Sequence, residues 1–184
     1  MADIEIFLKE KLHPVYRIWY GAWIYWWPLW RSHISGPSII KKWSDLGLVK
    51  EGQYFLDFGC GTGDFSIPAA RIVGSNGKVF ALDCNPNQLK VVEKKARQAG
   101  IANIKTILSE QKAYLPYESI DIVWMCDVLH EIRNKREVLE EAYKLLKKQG
   151  TLVIYDSLKD RILRYTKGLF SLEKRDGKLL KFYK

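Results

Sequence analysis

The sequence predicts an α/β fold with a doubly wound, mostly parallel sheet of seven strands, and three observations support this. Short apolar runs alternate with helical patterns from residue 54 to residue 155. Ile120–Met125 is continuously apolar, as in strands buried on both faces. Asp176-Gly177 lies between two strand-like runs. Alternation favours parallel strands with right-handed crossovers, whereas Asp-Gly favours a hairpin, so the sheet is expected to end in an antiparallel pair.

The predicted elements follow in a regular order. Strands are expected at Tyr54–Phe58, Lys78–Asp83, Ile104–Leu108, Ile120–Met125 and Thr151–Tyr155. Helices are expected at Phe65–Val73, Asn87–Ala99 and Lys135–Lys148. Gly100 and Gly150 follow the second and third helices, and glycine is favoured just past a helix end. The C-terminal hairpin is expected to pair Leu169–Glu173 with Lys178–Tyr183.

Residues 1–50 are predicted to form a helical, aromatic and basic extension of a domain at residues 51–184. Five tryptophans lie between residues 15 and 30, but Arg17 and Arg31 bracket only 13 uncharged residues. That run is too short to span a membrane. Tryptophan and tyrosine favour the membrane interface, which predicts peripheral association. A lid over the domain explains the same residues, and the sequence leaves both open. Four side chains would then line an apolar pocket: Tyr20, Trp23, Trp27 and His33.

Composition restricts the compartment and the partners. The start of the chain has early acids and no apolar signal-peptide core, so a cytoplasmic location is expected. Three cysteines, Cys60, Cys84 and Cys126, form no CxxC pair and predict neither a disulfide framework nor a metal site. The net charge of +9 suits an anionic partner, such as a membrane surface. Nucleic acid is less favoured, because no compact basic block with stacking aromatics occurs outside the N-terminus. Oligomeric state is not predicted.

The first predicted strand ends in a glycine-rich segment, Asp57-Phe58-Gly59-Cys60-Gly61-Thr62-Gly63. Doubly wound sheets bind ligands at the carboxyl ends of their strands. The G-x-G-x-G spacing differs from the G-x-G-x-x-G of dinucleotide sites, and Asp64 would repel a phosphate at the next helix. Asp83 ends the second strand, 20 residues after Gly63, where an acid suits ribose hydroxyls. A ligand with a ribose and an amino group but no phosphate fits, and S-adenosylmethionine is such a ligand.

Four segments in order resemble the motifs of class I, Rossmann-like, S-adenosylmethionine-dependent methyltransferases. They are Leu56–Gly63, Ala81–Asp83, Leu115–Met125 with Val128–Ile132, and Leu145–Leu152. The resemblance covers about residues 50 to 156 and is nearest to the quinone-biosynthesis type of C-methyltransferase. It implies methyl transfer to a small or lipid-like acceptor. The alternatives are a protein or nucleic-acid methyltransferase and a non-catalytic module that binds S-adenosylmethionine.

The resemblance also implies roles for particular residues. The glycine loop would pack against the methionine part of the cofactor, Asp57 would hold its ammonium group, and Asp83 its ribose. Cys84 would lie beside the adenine, and Gln111 stands where the family often has an adenine-binding acid, which is a departure. The full set of predicted cofactor contacts is Asp57, Gly59, Cys60, Gly61, Thr62, Gly63, Asp83, Cys84, Gln111 and Asp127.

The catalytic residue is not identified from the sequence. His130, Asp127 and Glu131 follow the fourth predicted strand and are candidates for a general base. Methyl transfer needs such a base only if the acceptor must lose a proton. Each candidate also has a structural interpretation: His130 as a residue that shapes the pocket, Asp127 as a turn acid and Glu131 as an acid at a helix start.

Overall fold

The computed structural model describes residues 38, 40–43, 45–109 and 115–184. Tyr20, Trp23, Trp27, His33 and Gln111 therefore lie outside the described residues, as does most of the predicted N-terminal extension. The strands are β1 (Tyr54–Phe58), β2 (Lys78–Asp83), β3 (Ile104–Leu108), β4 (Ile120–Cys126), β5 (Leu146–Tyr155), β6 (Ser171–Asp176) and β7 (Leu179–Tyr183). They form one seven-stranded sheet in the order β3-β2-β1-β4-β5-β7-β6.

The direction of the strands confirms the predicted fold class. β1 to β5 are parallel to one another, whereas β7 is antiparallel to both β5 and β6. The chain runs outward from β1 through β2 to β3 and then returns to β4 on the other side of β1. That reversal opens a crevice between the carboxyl ends of β1 and β4, which is where such sheets bind ligands.

The helices are α1 (Ser66–Val73), α2 (Pro86–Gln98), α3 (Lys135–Leu145) and α4 (Ile162–Thr166), with 3₁₀ turns at Leu129–Glu131 and Lys159–Arg161. The start of α2 is capped by Asn85, whose side-chain oxygen accepts a hydrogen bond from the Asn87 N–H at 2.9 Å. Pro86 occupies the first turn, where its missing N–H costs nothing.

The prediction that the third helix continues to Lys148 is wrong. α3 ends at Leu145, and β5 already begins at Leu146, whose backbone is extended. Leu146 pairs with Ile120 of β4 and is fully buried. This pairing between distant residues, together with the burial of the Leu146 side chain, outweighs the helical periodicity of the sequence.

Both faces of the sheet are covered by apolar side chains. On one face, Leu56, Val123 and Leu152 belong to a core that also contains residues of α3 and α4. On the other face, the buried Trp43 packs edge-on against Trp124 of β4, at a centroid distance of 5.1 Å. Trp43 lies within the predicted extension, and the described residues from 38 to 45 are helical. The continuous apolar run of β4 follows from burial on both faces.

Candidate active site

The glycine loop after β1 adopts a conformation that L side chains rarely tolerate. Gly59, Gly61 and Gly63 have φ angles of 76°, 52° and 81°. A Cβ on Gly59 would lie 2.5 Å from Val128 Cγ2, and one on Gly63 would lie 3.0 Å from Val92 Cγ2. A Cβ on Gly61, in contrast, would meet no atom within 4 Å. Gly59 and Gly63 are therefore needed for packing within the protein, whereas Gly61 presents a bare backbone toward open space.

Hydrogen bonds from the loop to the end of β2 hold it in place. The N–H groups of Gly59 and Cys60 both donate to the Leu82 carbonyl, at 2.8 and 2.9 Å. The Gly61 N–H donates to Asp83 Oδ2 at 2.9 Å. The loop is thus fixed before any ligand arrives, which reduces the entropy lost on binding.

Asp83 connects the loop with the following turn. Its second oxygen, Oδ1, accepts a hydrogen bond from the Asn85 N–H at 2.9 Å. Burial raises the pKa of Asp83 despite the hydrogen bonds from Asn85 and Gly61, which act to lower it. Each carboxylate oxygen has two acceptor positions, so Asp83 can still accept from a ligand hydroxyl.

Asp57 is a buried acid at the end of β1. It is 1% exposed, and its Oδ2 accepts a hydrogen bond from Ser66 Oγ at 2.5 Å. Burial raises the pKa of Asp57 to about 7; the negative charges of Asp83 and Asp64 act in the same direction, and the Ser66 hydrogen bond opposes them. Within the part of the chain that the structure describes, no basic side chain pairs with Asp57. A ligand cation would supply the missing counter-charge.

The acids around the loop disfavour a phosphate ligand. Asp64, at the end of the loop, forms an ion pair with Lys95 at 2.9 Å and accepts from Thr62 Oγ1 at 3.3 Å. The positive charge of Lys95 is therefore already engaged. A negative charge at the start of the following helix disfavours a phosphate there, because the helix N-terminus is where a pyrophosphate would bind.

A second cluster of polar side chains lies at the ends of β4 and β5. Asp127 follows β4 with a φ of 50°, unusual for a residue other than glycine. Its N–H donates to the Tyr155 carbonyl of β5 at 2.7 Å. The next residue, Val128, is the one that Gly59 approaches so closely. The turn after β4 is thus packed directly on the glycine loop.

Asp156, at the end of β5, is fully buried and accepts hydrogen bonds from four donors. These donors are the His130 N–H at 3.1 Å, His130 Nδ1 at 3.1 Å, the Leu158 N–H at 2.9 Å and Ser157 Oγ at 3.4 Å. Burial alone would raise the pKa of Asp156, but the His130 and Leu158 hydrogen bonds and the charge of His130 outweigh it, so the pKa is lowered. Asp156 is therefore a carboxylate at neutral pH.

Three side chains each place one potential metal-ligand atom within 4.8 Å of the other two. They are Asp127, His130 and Asp156. Such a spacing also occurs around metal ions, but here both oxygens of Asp156 are engaged by protein donors. We therefore describe the cluster as a hydrogen-bond network. His130 Nε2 lies 3.8 Å from Glu131 Oε1.

A comparison with models of protein families identifies the family of this domain. A family model described as "Methyltransferase domain" matches residues 49–175. The chain belongs to the methyltransferase domain family. The match includes the glycine loop, Asp83 and the β4 and β5 ends, so the class I resemblance inferred from the sequence is confirmed.

Curated relatives of this methyltransferase domain have related names. The demethylmenaquinone methyltransferase of Lactobacillus johnsonii is 35% identical over 119 residues, which are 64% of this chain and 49% of the relative. That of Bacillus velezensis is 30% identical over 136 residues, 71% of this chain and 58% of the relative. The chain thus spans about half the length of the curated relatives it matches.

Solved structures share the methyltransferase fold. A SAM-dependent methyltransferase from Aquifex aeolicus superposes with a TM-score of 0.68 at 24% identity, over 78% of this chain and 87% of the other. An arsenic(III) S-adenosylmethionine methyltransferase from Chlamydomonas reinhardtii has a TM-score of 0.53 at 32% identity, over 58% of this chain and 39% of the other. In the described residues, no helix is both long and apolar enough to cross a membrane.

Most of the predicted site residues lie together in this methyltransferase domain. Burial raises the pKa of Cys84 to about 12, with Asp83 the next cause and Glu131 also contributing. The turn after β4 contacts the glycine loop through Val128. Gln111 lies outside the described residues, so its predicted contact stays a prediction. The sequence interpretation gave no role to Asp156 or Ser66, because their roles depend on side-chain contacts between different elements. An acid at the end of the fifth strand was the available signal for Asp156.

Proposed function

We propose that this chain is an S-adenosylmethionine-dependent methyltransferase that acts on a small, lipid-like quinone-type acceptor. The observation that carries the proposal is a bare glycine loop beside Asp57, a buried acid with no cationic partner in the described residues. This arrangement suits a ligand that brings its own positive charge and approaches the backbone closely. When bound, such a cofactor would supply a methyl group on a sulfonium, a strong leaving group.

The residues of the chain divide the work of holding the cofactor. Asp57 would pair with the ammonium group, Asp83 would accept from the ribose hydroxyls, and Gly61 would let the ligand lie against the backbone. Cys84, Gln111 and Asp127 are proposed, as from the sequence, to contact the rest of the cofactor. These assignments are supported by the acids around the loop, which disfavour a phosphate ligand.

A quinone-type acceptor is supported by the names of the curated relatives, which refer to demethylmenaquinone and to ubiquinone and menaquinone biosynthesis. Such acceptors dissolve in membranes, so an enzyme that uses them gains from binding at a membrane surface. We propose that the tryptophan-rich segment at residues 15–31 supplies that binding, helped by the net charge of +9. The cytoplasmic location stays a prediction.

Two measurements test the proposed activity. Calorimetry with S-adenosylmethionine and with NAD should show binding of the first alone; binding of NAD alone would contradict the cofactor assignment. The full chain is then incubated with S-adenosylmethionine and demethylmenaquinone, oxidised and chemically reduced, and S-adenosylhomocysteine is measured by mass spectrometry. We expect product with the reduced form, because the quinol ring is electron-rich and the quinone ring is not.

The proposed membrane binding has its own test. The full chain is sedimented with vesicles of zwitterionic lipid, with and without anionic lipid, at two salt concentrations. Binding that requires anionic lipid, and that decreases when tryptophans 23 and 27 are replaced by alanine, is expected. Tight, salt-dependent binding to RNA without any vesicle binding would instead favour the nucleic-acid alternative.

A further inference from the structure

We infer that Asp156 is a positioning residue that makes His130 the general base of this methyltransferase domain, an inference that rests on the proposed function. The sequence left three candidates for the base: His130, Asp127 and Glu131. The geometry favours His130, because its ring nitrogen Nδ1 lies within hydrogen-bond distance of a fully buried carboxylate.

The contact with Asp156 determines which ring nitrogen carries the proton. An ionised carboxylate can only accept hydrogen bonds, so Nδ1, which lies 3.1 Å from Asp156 Oδ2, must carry a hydrogen. In neutral imidazole the other nitrogen is then the basic atom. Nε2 of His130 is therefore the ring atom that can take a proton from the methyl acceptor.

Asp156 also fixes the orientation of the ring. The same oxygen, Oδ2, accepts from the His130 backbone N–H at 3.1 Å, so the carboxylate grips both the backbone and the ring. The other oxygen is held by the Leu158 N–H at 2.9 Å. The carboxylate itself is thus immobile, and it holds the imidazole without rearranging during the reaction.

The position of His130 places it beside the crevice where the acceptor must lie. It is two residues from Val128, which packs against Gly59 of the glycine loop. The negative charge of the neighbouring Glu131 acts to raise the pKa of Cys84, the residue after Asp83. The side chain of His130 is 30% exposed, whereas that of Asp156 is inaccessible. A proton donor in the crevice can therefore reach the imidazole but not the buried carboxylate.

For a quinol acceptor the step balances without an oxidant or reductant. A hydroxyl proton of the quinol moves to His130 Nε2, which makes the ring carbon nucleophilic. That carbon bonds to the methyl carbon while the methyl–sulfur bond breaks and its electron pair stays on sulfur. The ring then loses its C–H proton and regains the hydroxyl proton, so one proton is released overall. The Asp156 carboxylate stabilises the imidazolium in between.

Nuclear magnetic resonance of the imidazole nitrogens tests the positioning without any substrate. The chain has only three histidines, His13, His33 and His130, so the His130 signal is assigned from H130Q. In the parent, His130 should be in the Nδ1–H tautomer at pH values where it is neutral. D156N and D156A should lose that preference, whereas the matched control D160N, an exposed acid four residues further on, should keep it.

Activity with reduced demethylmenaquinone gives the second measurement. H130Q should lower kcat by roughly 10²–10⁴-fold, the usual contribution of a general base. D156N should lower kcat at least about tenfold with little change in KM, because the step lost is proton transfer, not binding. Calorimetry should show that both variants bind S-adenosylmethionine like the parent, which reports correct folding of the site.

The outcomes separate this inference from the proposed function. If S-adenosylhomocysteine forms and D156N keeps the parent kcat, or both Asp156 variants keep the parent tautomer, the inference is overturned and the function stands. D156N alone decides if D156A does not fold. If the parent forms no product with either form of the acceptor, the proposed function and the base role fall together. If adding Mg²⁺ or Zn²⁺ shifts the imidazole signals of the parent, and the activity of the parent is lost with a chelator and returns with the metal, the cluster is a metal site. The inference is then overturned.

Discussion

Each half of the crevice contains a buried acid, and the pKa of one is raised whereas that of the other is lowered. On the β1 side, Ser66 donates to Asp57 through its hydroxyl and its backbone N–H, and burial raises the pKa of Asp57 to about 7. On the β5 side, Asp156 receives four hydrogen bonds, and its pKa is lowered. Burial disfavours the charge of both acids, so their neighbours decide the outcome: the negative charges of Asp83 and Asp64 add to burial at Asp57, whereas more donors and the charge of His130 oppose it at Asp156. Asp57 therefore lacks a positively charged partner among the described residues, which suits a cationic ligand. Asp156 already has its donors within the protein.

The largest effect is expected from removing the charge of Asp57. D57N should weaken S-adenosylmethionine binding by about 2–5 kcal/mol, since it leaves the ligand ammonium without its buried partner. The same variant should unfold at a higher temperature than the parent at pH 8, because the unliganded protein no longer buries an unpaired charge. Calorimetry and thermal unfolding measure the two effects. Weaker binding together with lower stability would indicate a misfolded loop instead.

Two glycine variants test whether the loop serves packing or binding. G59A should destabilise the fold by about 2–4 kcal/mol, because its methyl group would meet Val128 at 2.5 Å and its φ is positive. G61A should cost only about 1 kcal/mol, since nothing lies within 4 Å of its Cβ. Cofactor binding should nevertheless be weaker in G61A than its small loss of stability accounts for. Equal losses of stability in chemical denaturation would contradict this distinction.

Asp83 lies between these extremes, because it holds the loop and is also proposed to bind the ribose of the ligand. D83A should weaken S-adenosylmethionine binding by about 1–3 kcal/mol through loss of a charge-assisted acceptor. It should also destabilise the unliganded chain, because the N–H groups of Gly61 and Asn85 lose their acceptor. D121N, at the amino end of β4 and so at the opposite end of the parallel strands, is the control for the binding measurement. Parent-like affinity in D83A would show that Asp83 shapes the loop without touching the ligand.

Much of this site follows from short-range patterns in the sequence. The positions of Asp57, the glycine loop and Asp83 could be predicted because each lies at, or just after, the end of a strand that the apolar pattern marks. The contact of His130 with Asp156 could not, because it joins residues 26 positions apart through the pairing of β4 with β5. The start of β5 at Leu146 escaped prediction for the same reason: its burial depends on Ile120, in a different strand. Local periodicity does not encode either contact.

The pH dependence of cofactor binding sharpens the contrast between the two halves. Asp57 must be ionised to pair with an ammonium group, and its pKa in the free protein is about 7. The affinity should therefore fall by up to about tenfold for each unit below pH 7, as protonated Asp57 accumulates. The stability of the unliganded chain should change in the opposite direction. The folded pKa of this acid lies above its unfolded value of 3.8, so stability is fully present below that value and is lost as the pH rises through 7.

Calorimetry and unfolding from pH 5.5 to 7.5 measure both slopes. D57N should flatten both of them, since the titrating group is gone. Asp156 should not contribute in this range, because its pKa is lowered and it stays ionised throughout. A binding slope that persists in D57N would assign the titration to another group.

The smallest effect is expected at Ser66, the one donor that Asp57 has among the described side chains. S66A removes the 2.5 Å hydrogen bond that lowers the pKa of Asp57, so that pKa should rise further. The midpoint of the pH-dependent binding should then move upward, while affinity well above the midpoint falls by only about 1 kcal/mol. S66T keeps the hydroxyl and should keep the parent midpoint if its extra methyl group is accommodated. An unchanged midpoint in S66A would mean that the Ser66 hydroxyl does not influence the charge of Asp57.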